Sequence, residues 1–242
     1  MSNDLKNNAV FITGASQRIG AYLVRQFLTC TDYPVVFTYK THRQEVDNLV
    51  ALGAIAIQCD FENIDNLPGL VKQIKQHCKS LRAIIHNASL WLSDEQAPAF
   101  SAEYQSLFRL HVEVPNFLNH QLQPLLLASS SELKDIISLS DFSVNKVTES
   151  HIAYLASKAA MQTASKAFAK KFAPDIKVND IAPALIMFNE NDSKAYKEKR
   201  LKQAALPIEP GAEVVWQAVK YLMNNPYTTG TCLQLDGGRH LM

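Results

Sequence analysis

Seven short apolar runs alternating with longer helical patterns limit, more than any other feature, how this 242-residue chain can fold. The runs are residues 9–13 (AVFIT), 34–39, 54–58, 83–87, 135–140, 178–182 and 231–236; the helical stretches are 18–29, 43–52, 66–78, 101–126, 151–173 and 212–224. Several runs lack polar/apolar alternation, the mark of parallel strands covered by helices on both faces. The expected fold is α/β, a doubly wound parallel sheet forming one domain over residues 1–242. Right-handed crossovers put binding sites at the carboxyl ends of such strands. The polar, charged stretch 189–202 breaks the rhythm; it reads equally as a lid over the site or as an ordinary surface helix.

Composition excludes several classes. With 47% hydrophobic and 19% charged residues the chain is expected to be globular rather than disordered. A net charge of +1 gives no bulk attraction to nucleic acid or anionic lipid. No run approaches the roughly 18 apolar residues of a membrane span, and the polar opening MSNDLKNN lacks a signal-peptide layout. The four cysteines have neither paired spacing nor nearby histidines, so no metal is expected; buried free thiols in a reducing cytoplasm are.

The first run leads into Thr13-Gly14-Ala15-Ser16-Gln17-Arg18-Ile19-Gly20 and then a helix. Gly14 permits a tight turn, Gly20 permits close helix–strand packing, and the helix amino end can face a pyrophosphate. This turn makes the expected sheet Rossmann-type. Folds of this kind that select NAD carry an acid after the second strand, for the ribose 2′-hydroxyl. Here Thr38-Tyr39-Lys40-Thr41-His42-Arg43 contains none. Lys40 and Thr41 could hold a 2′-phosphate and Tyr39 could flank adenine, which tips the expected cofactor to NADPH. A solvated basic loop is the alternative.

Tyr154 and Lys158, four residues apart, share one helix face. A free phenol has a pKa of about 10, and an adjacent ammonium favours its ionised form. The pair is therefore expected to do acid–base work, with Lys158 drawing the tyrosine toward the useful range.

In order along the chain stand the glycine turn at 13–20, Asp60, His86-Asn87-Ala88-Ser89, Tyr154 with Lys158, Ala182-Pro183, and Thr229-Gly230 with Asp236-Gly237-Gly238. From end to end this order resembles the short-chain dehydrogenase/reductase family. The resemblance implies cofactor contacts from Gly14, Gln17, Arg18, Ile19, Gly20, Asp60, Phe61, Asn87, Ala88, Ser89, Tyr154, Lys158, Pro183 and Leu185. It also implies a homotetramer.

Four positions depart from the common family pattern: Arg18 replaces a middle glycine, Asp141 a serine, Ser89 a glycine, and Trp91 follows shortly. All four resemble the family's pteridine reductases. HNASLW, HIAYLASKAA, KVNDIAPALIMFNEND and LDGGRHLM are similar to the bacterial dihydromonapterin reductases. By this resemblance Asp141, Tyr154 and Lys158 would be catalytic, and Arg18, Ser89, Trp91, Asp141 and Tyr154 would bind a small-molecule pterin. Arg18 as a surface cation and Trp91 as a core residue are the plainer readings. His111 stands where many members use an asparagine to hold a water, and Ala184 where a Pro-Gly pair is common. The implied reaction is NADPH-dependent reduction of dihydromonapterin to tetrahydromonapterin, with dihydrofolate as a second substrate. The alternatives are a carbonyl reductase acting on a 3-oxoacyl thioester and a non-catalytic NADPH-binding protein.

Overall fold

The computed structural model describes residues 5–146 and 148–242; the first four residues of the polar opening lie outside it. Its strands are β1 (Ala9–Ile12), β2 (Val35–Tyr39), β3 (Ile55–Gln58), β4 (Leu81–His86), β5 (Asp135–Leu139), β6 (Lys177–Pro183) and β7 (Cys232–Leu235). They form one sheet, ordered β3-β2-β1-β4-β5-β6-β7, with every pair parallel. The chain reverses its direction of travel across the sheet between β1 and β4. That is where the carboxyl ends open a crevice.

The helices are α1 (Arg18–Cys30), α2 (Gln44–Ala51), α3 (Asn66–His77), α4 (Ala102–Phe108), α5 (Val114–Leu127), α6 (Ile152–Phe172), α7 (Lys194–Leu201) and α8 (Glu213–Asn224). On one face α1 and α8 cover the sheet, with Phe27 edge-on to Trp216 at 4.8 Å. On the other, α3, α5 and α6 bury Leu70, Ile74, Leu118, Leu122 and Phe168 against β1, β4 and β5. Strands buried on both sides explain the missing alternation. Among the described residues no helix is long and apolar enough to cross a membrane. Cys59 and Cys78 are buried, but Cys30 is exposed, because it closes the solvent-facing end of α1.

The expected single helix over 101–126 is two helices joined by a π-helical turn, Arg109–Glu113. Pro115 has no N–H to give the carbonyl four residues back, that of His111. The ladder widens there, and the Val114 N–H reaches back to the Arg109 carbonyl instead.

At the opposite end of the sheet from the crevice, Asp135 sits between Arg82 (2.5 Å) and Lys177 (3.0 Å), all three buried on neighbouring strands. Removing one partner of such a group leaves a buried charge uncompensated, at a cost of about 3–5 kcal/mol.

His86 ends β4, buried, with Nε2 2.7 Å from the Asn119 side-chain oxygen. Burial pushes its pKa down to about 4. The unfolded chain takes up this proton near pH 6.5 and the native state does not. Its stabilising contribution is therefore full above about pH 6.5 and lost toward pH 4, about 3 kcal/mol in all. Asp180, pushed by burial up to about 7, runs the other way, because the native state holds a proton the unfolded chain has released. The clean readout is the difference between wild type and His86→Gln. In urea unfolding, wild type is expected to lose more stability than the variant between pH 7 and pH 4.5. Equal losses would contradict this.

Candidate active site

The crevice is built from the turn after β1 and the loop after β4. Thr13 Oγ1 accepts from the Asn87 and Ala88 N–H groups at 3.1 and 3.0 Å. The Asn87 amide donates back to the Thr13 and Gly14 carbonyls at 3.0 and 2.8 Å. Thr38 Oγ1 accepts from the Gly14 N–H at 3.0 Å, tying in β2. Gly14 has φ +66°, and a Cβ there would lie 2.7 Å from the Ala88 Cα; one on Gly20 would lie 2.8 Å from the Ala15 Cα. No other residue fits either place without moving backbone.

Helix α1 begins here without a side-chain cap and with no acid in its first turn. Its first N–H groups, those of Ile19 and Gly20 among them, have no carbonyl one turn back within the helix. A pocket runs from this helix end along Gln17, Lys40, Thr41, Asp60 and Phe61 to Ala88 and Ser89. It thus brings together residues expected at the cofactor. Tyr39 is at the end of β2, its ring 5.9 Å from His42.

Lys40 is not a free cation: its ammonium lies 2.8 Å from Glu62 and 3.3 Å from Asp60. Arg43, on the same pocket wall, has no ion-pair partner among the described residues. The basic character of this loop thus falls on Arg43 as well, a residue the reading above did not single out. Its position in the same basic loop was the available signal.

Arg18 carries φ +52°, the left-handed region that favours glycine. Holding a long side chain there costs of order 1–3 kcal/mol. Its guanidinium donates to the Asn189 side-chain oxygen at 2.6 Å and the Met187 carbonyl at 3.0 Å. It therefore links the glycine turn to the chain leaving β6 and is not a loose surface cation. The 189–202 stretch carries α7, which buries no residue. Trp91 is 64% exposed, its indole ring 4.2 Å from the His151 ring, three residues before Tyr154. It stands on the rim of the site rather than in the core.

Tyr154 and Lys158 share a face of α6, both buried. The phenol donates to Asp141 at 2.8 Å. Burial, then the charge of Asp141 and the hydrogen bond to it, push the Tyr154 pKa well above its ordinary value. This corrects the expectation that Lys158 draws the phenol down. The Lys158 ammonium donates to the Leu139 carbonyl at 2.8 Å, its nitrogen 5.9 Å from the Tyr154 ring centre. Burial lowers Lys158 to about 8, partly opposed by Asp141 and Asp180.

His111 also departs from expectation. Its Nδ1 is 2.8 Å from Ser157 Oγ, and its Nε2 is 2.9 Å from Ser89 Oγ and takes a long bond from the Leu90 N–H. Ser157 Oγ in turn donates to the Tyr154 carbonyl at 2.7 Å. Burial and the charge of Lys158 hold the imidazole neutral. With both ring nitrogens taken by serines, His111 braces the β4 loop against α6 and offers no nitrogen to a water. Pro183 closes β6, paired with Leu235; Ala184 and Leu185 follow into a second, more apolar cavity. Among the described residues no group of three or more His, Cys, Asp or Glu is placed to hold a metal.

A family model described as enoyl-(acyl carrier protein) reductase matches residues 14–240. The chain belongs to the short-chain dehydrogenase/reductase family. Within it, the chain is 40% identical to the dihydromonapterin reductase of Citrobacter koseri and 38% to that of Escherichia coli O6:K15:H31. Each match covers 96% of both chains. It superposes on the FolM alternative dihydrofolate reductase 1 of Brucella canis, solved with NADP, with a TM-score of 0.87 and 26% identity, over all of this chain and 97% of that one.

Proposed function

We propose that this chain is an NADPH-dependent reductase of 7,8-dihydropterins, converting dihydromonapterin to tetrahydromonapterin and acting on dihydrofolate as a second substrate. The observation that carries the reading is the Tyr154–Asp141 pair, a buried phenol 2.8 Å from a half-buried carboxylate, with Arg18 and Trp91 on the surrounding site. The names of the relatives reported above support it. The cytoplasmic homotetramer expected of the family goes with this proposal.

The cradle left by Gly14 and Gly20 and the uncapped start of α1 suit a pyrophosphate. Lys40, Thr41 and Arg43 would hold a 2′-phosphate, Tyr39, Asp60 and Phe61 the adenosine, and Asn87, Ala88 and Ser89 the middle of the cofactor. Lys158 would hold the nicotinamide ribose, and Pro183 and Leu185 the nicotinamide end. When bound, NADPH supplies the hydride.

Reduction of the imine bond between N5 and C6 consumes one hydride at C6 and one proton at N5. Tyr154 is the proton donor, kept protonated across the neutral range by its burial and then by Asp141. Asp141 then holds the hydroxyl in place and accepts the replacement proton on its way back. Lys158 supplies a fixed positive charge that is lost above about pH 8. Trp91 stacks on the flat pterin, and Arg18 offers it several donors in one plane. The 189–202 segment closes over the bound pterin, with its start fastened by Arg18.

Two results check this. NADPH is consumed one-for-one with formation of tetrahydromonapterin; no product from any dihydropterin contradicts the proposal. Replacing Lys40 and Arg43 together by alanine raises KM for NADPH about 10–100-fold, the size of one to two charge-assisted bonds, with little change for NADH. Parallel changes for both cofactors would remove the 2′-phosphate from this loop.

A further inference from the structure

The second cavity lies beyond Pro183, between α7 with the chain that follows it and the ends of β6 and β7. Much of its wall is apolar, including Leu185, Leu201, Leu206 and Ile208. Two arginines interrupt that wall: Arg200 from the last turn of α7 and Arg239 from the turn after β7.

Both guanidiniums converge on one neutral oxygen. Gln203 Oε1 accepts from Arg200 at 3.1 Å and from Arg239 at 2.5 Å. Neither arginine has an ion-pair partner among the described residues. The Arg200 Nε is buried with no hydrogen-bond partner. Asp236 lines the same cavity, but its oxygens are engaged by the Gly238 and His240 N–H groups and the His240 ring. Two like charges facing each other at a half-buried site are unfavourable without an anion. Burial and the charge of Arg200 lower the Arg239 pKa despite the opposing charges of Asp141, Tyr196 and Asp236.

The cavity also adjoins the reaction centre. The Arg239 guanidinium lies 5.0 Å from the Phe142 ring centre, and Phe142 follows Asp141. A substituent directed into this cavity would meet both an apolar wall and the two arginines.

We propose that Arg200 and Arg239 form an anion subsite for a carboxylate or phosphate carried on the C6 substituent of the pterin. The assignment rests on the pterin reading above. Planar guanidiniums with unspent donors suit such oxyanions, which they bind in bidentate fashion. A carboxylate at the end of an apolar linker, as on folate, and a phosphate ester on a short side chain are the two sources of that chemistry.

The test is calorimetric binding to the NADP-loaded protein, with folate, 6-hydroxymethylpterin and 6-hydroxymethylpterin phosphate as probes. Wild type is expected to bind folate or the phosphate ester at least tenfold more tightly than the neutral pterin. Whichever gains identifies the source. R200Q/R239Q is expected to bring that ratio near one, while R239K, which keeps the charge, retains most of it. A wild-type ratio of one, or a ratio the double variant leaves unchanged, overturns the subsite. If the neutral pterin fails to bind at all, the pterin reading is what fails. Inorganic phosphate then decides the subsite alone: binding lost in R200Q/R239Q keeps it, and binding that is absent or unaltered removes it.

Discussion

Tyr154→Phe is expected to lower kcat for a dihydropterin by about 10²–10⁴-fold, the range for losing a positioned proton donor, while NADPH affinity changes by less than about threefold. The substitution removes one oxygen from a buried ring and leaves the packing of α6 in place. What it deletes is the donor to Asp141 at 2.8 Å. Steady-state turnover and NADPH fluorescence titration on the same preparation separate the two effects. A variant with near-normal kcat would take Tyr154 out of the chemistry. One that lost NADPH binding in parallel would make it a cofactor residue instead.

Asp141→Asn is the second large effect, and its signature is the pH profile. Asp141 contributes both its charge and its hydrogen bond to the raised pKa of Tyr154, with burial contributing most. The amide keeps the shape and an acceptor oxygen but removes the charge. The Tyr154 pKa is then expected to fall, since the phenolate no longer faces a carboxylate. Turnover is expected to drop about 100-fold, in line with loss of one acid–base partner, and the phenol to ionise at lower pH. Ultraviolet difference titration of wild type against D141N reads that ionisation directly. An unchanged titration would mean the two groups are not coupled as their geometry indicates.

The pattern of the sheet was legible in the chain, and the two strand starts read too late in it share a physical cause. β4 begins at Leu81 and β6 at Lys177, both earlier than the apolar runs suggested. The residues passed over include Arg82 and Lys177, charged side chains that ordinarily end a buried strand. They lie inside because each meets Asp135 on β5, a pairing between segments that sequence periodicity cannot express. The break in the long helix had a local sign in Pro115, but its form as a π turn depends on what His111 packs against.

At the site, residue types were more legible than their states. Tyr154, Lys158 and Asp141 were named from spacing and resemblance, yet the direction of the tyrosine shift was reversed. Spacing shows that Lys158 shares a helix face with Tyr154; it does not show that the ammonium turns to the Leu139 carbonyl. Thr13 and Thr38 were read only as members of the glycine turn and the basic loop. They matter through partners far away in sequence, as when the Thr13 hydroxyl receives two N–H groups from the β4 loop.

The central claim is that this reductase site serves a dihydropterin. The direct test is kcat/KM for purified protein with saturating NADPH, comparing 7,8-dihydromonapterin with a 3-oxoacyl thioester and an enoyl thioester. The account predicts a value for dihydromonapterin at least about 100-fold above either thioester, since one well-placed aromatic stack and one charged partner together supply about 3 kcal/mol. Equal values, or a preference for a thioester, would contradict it.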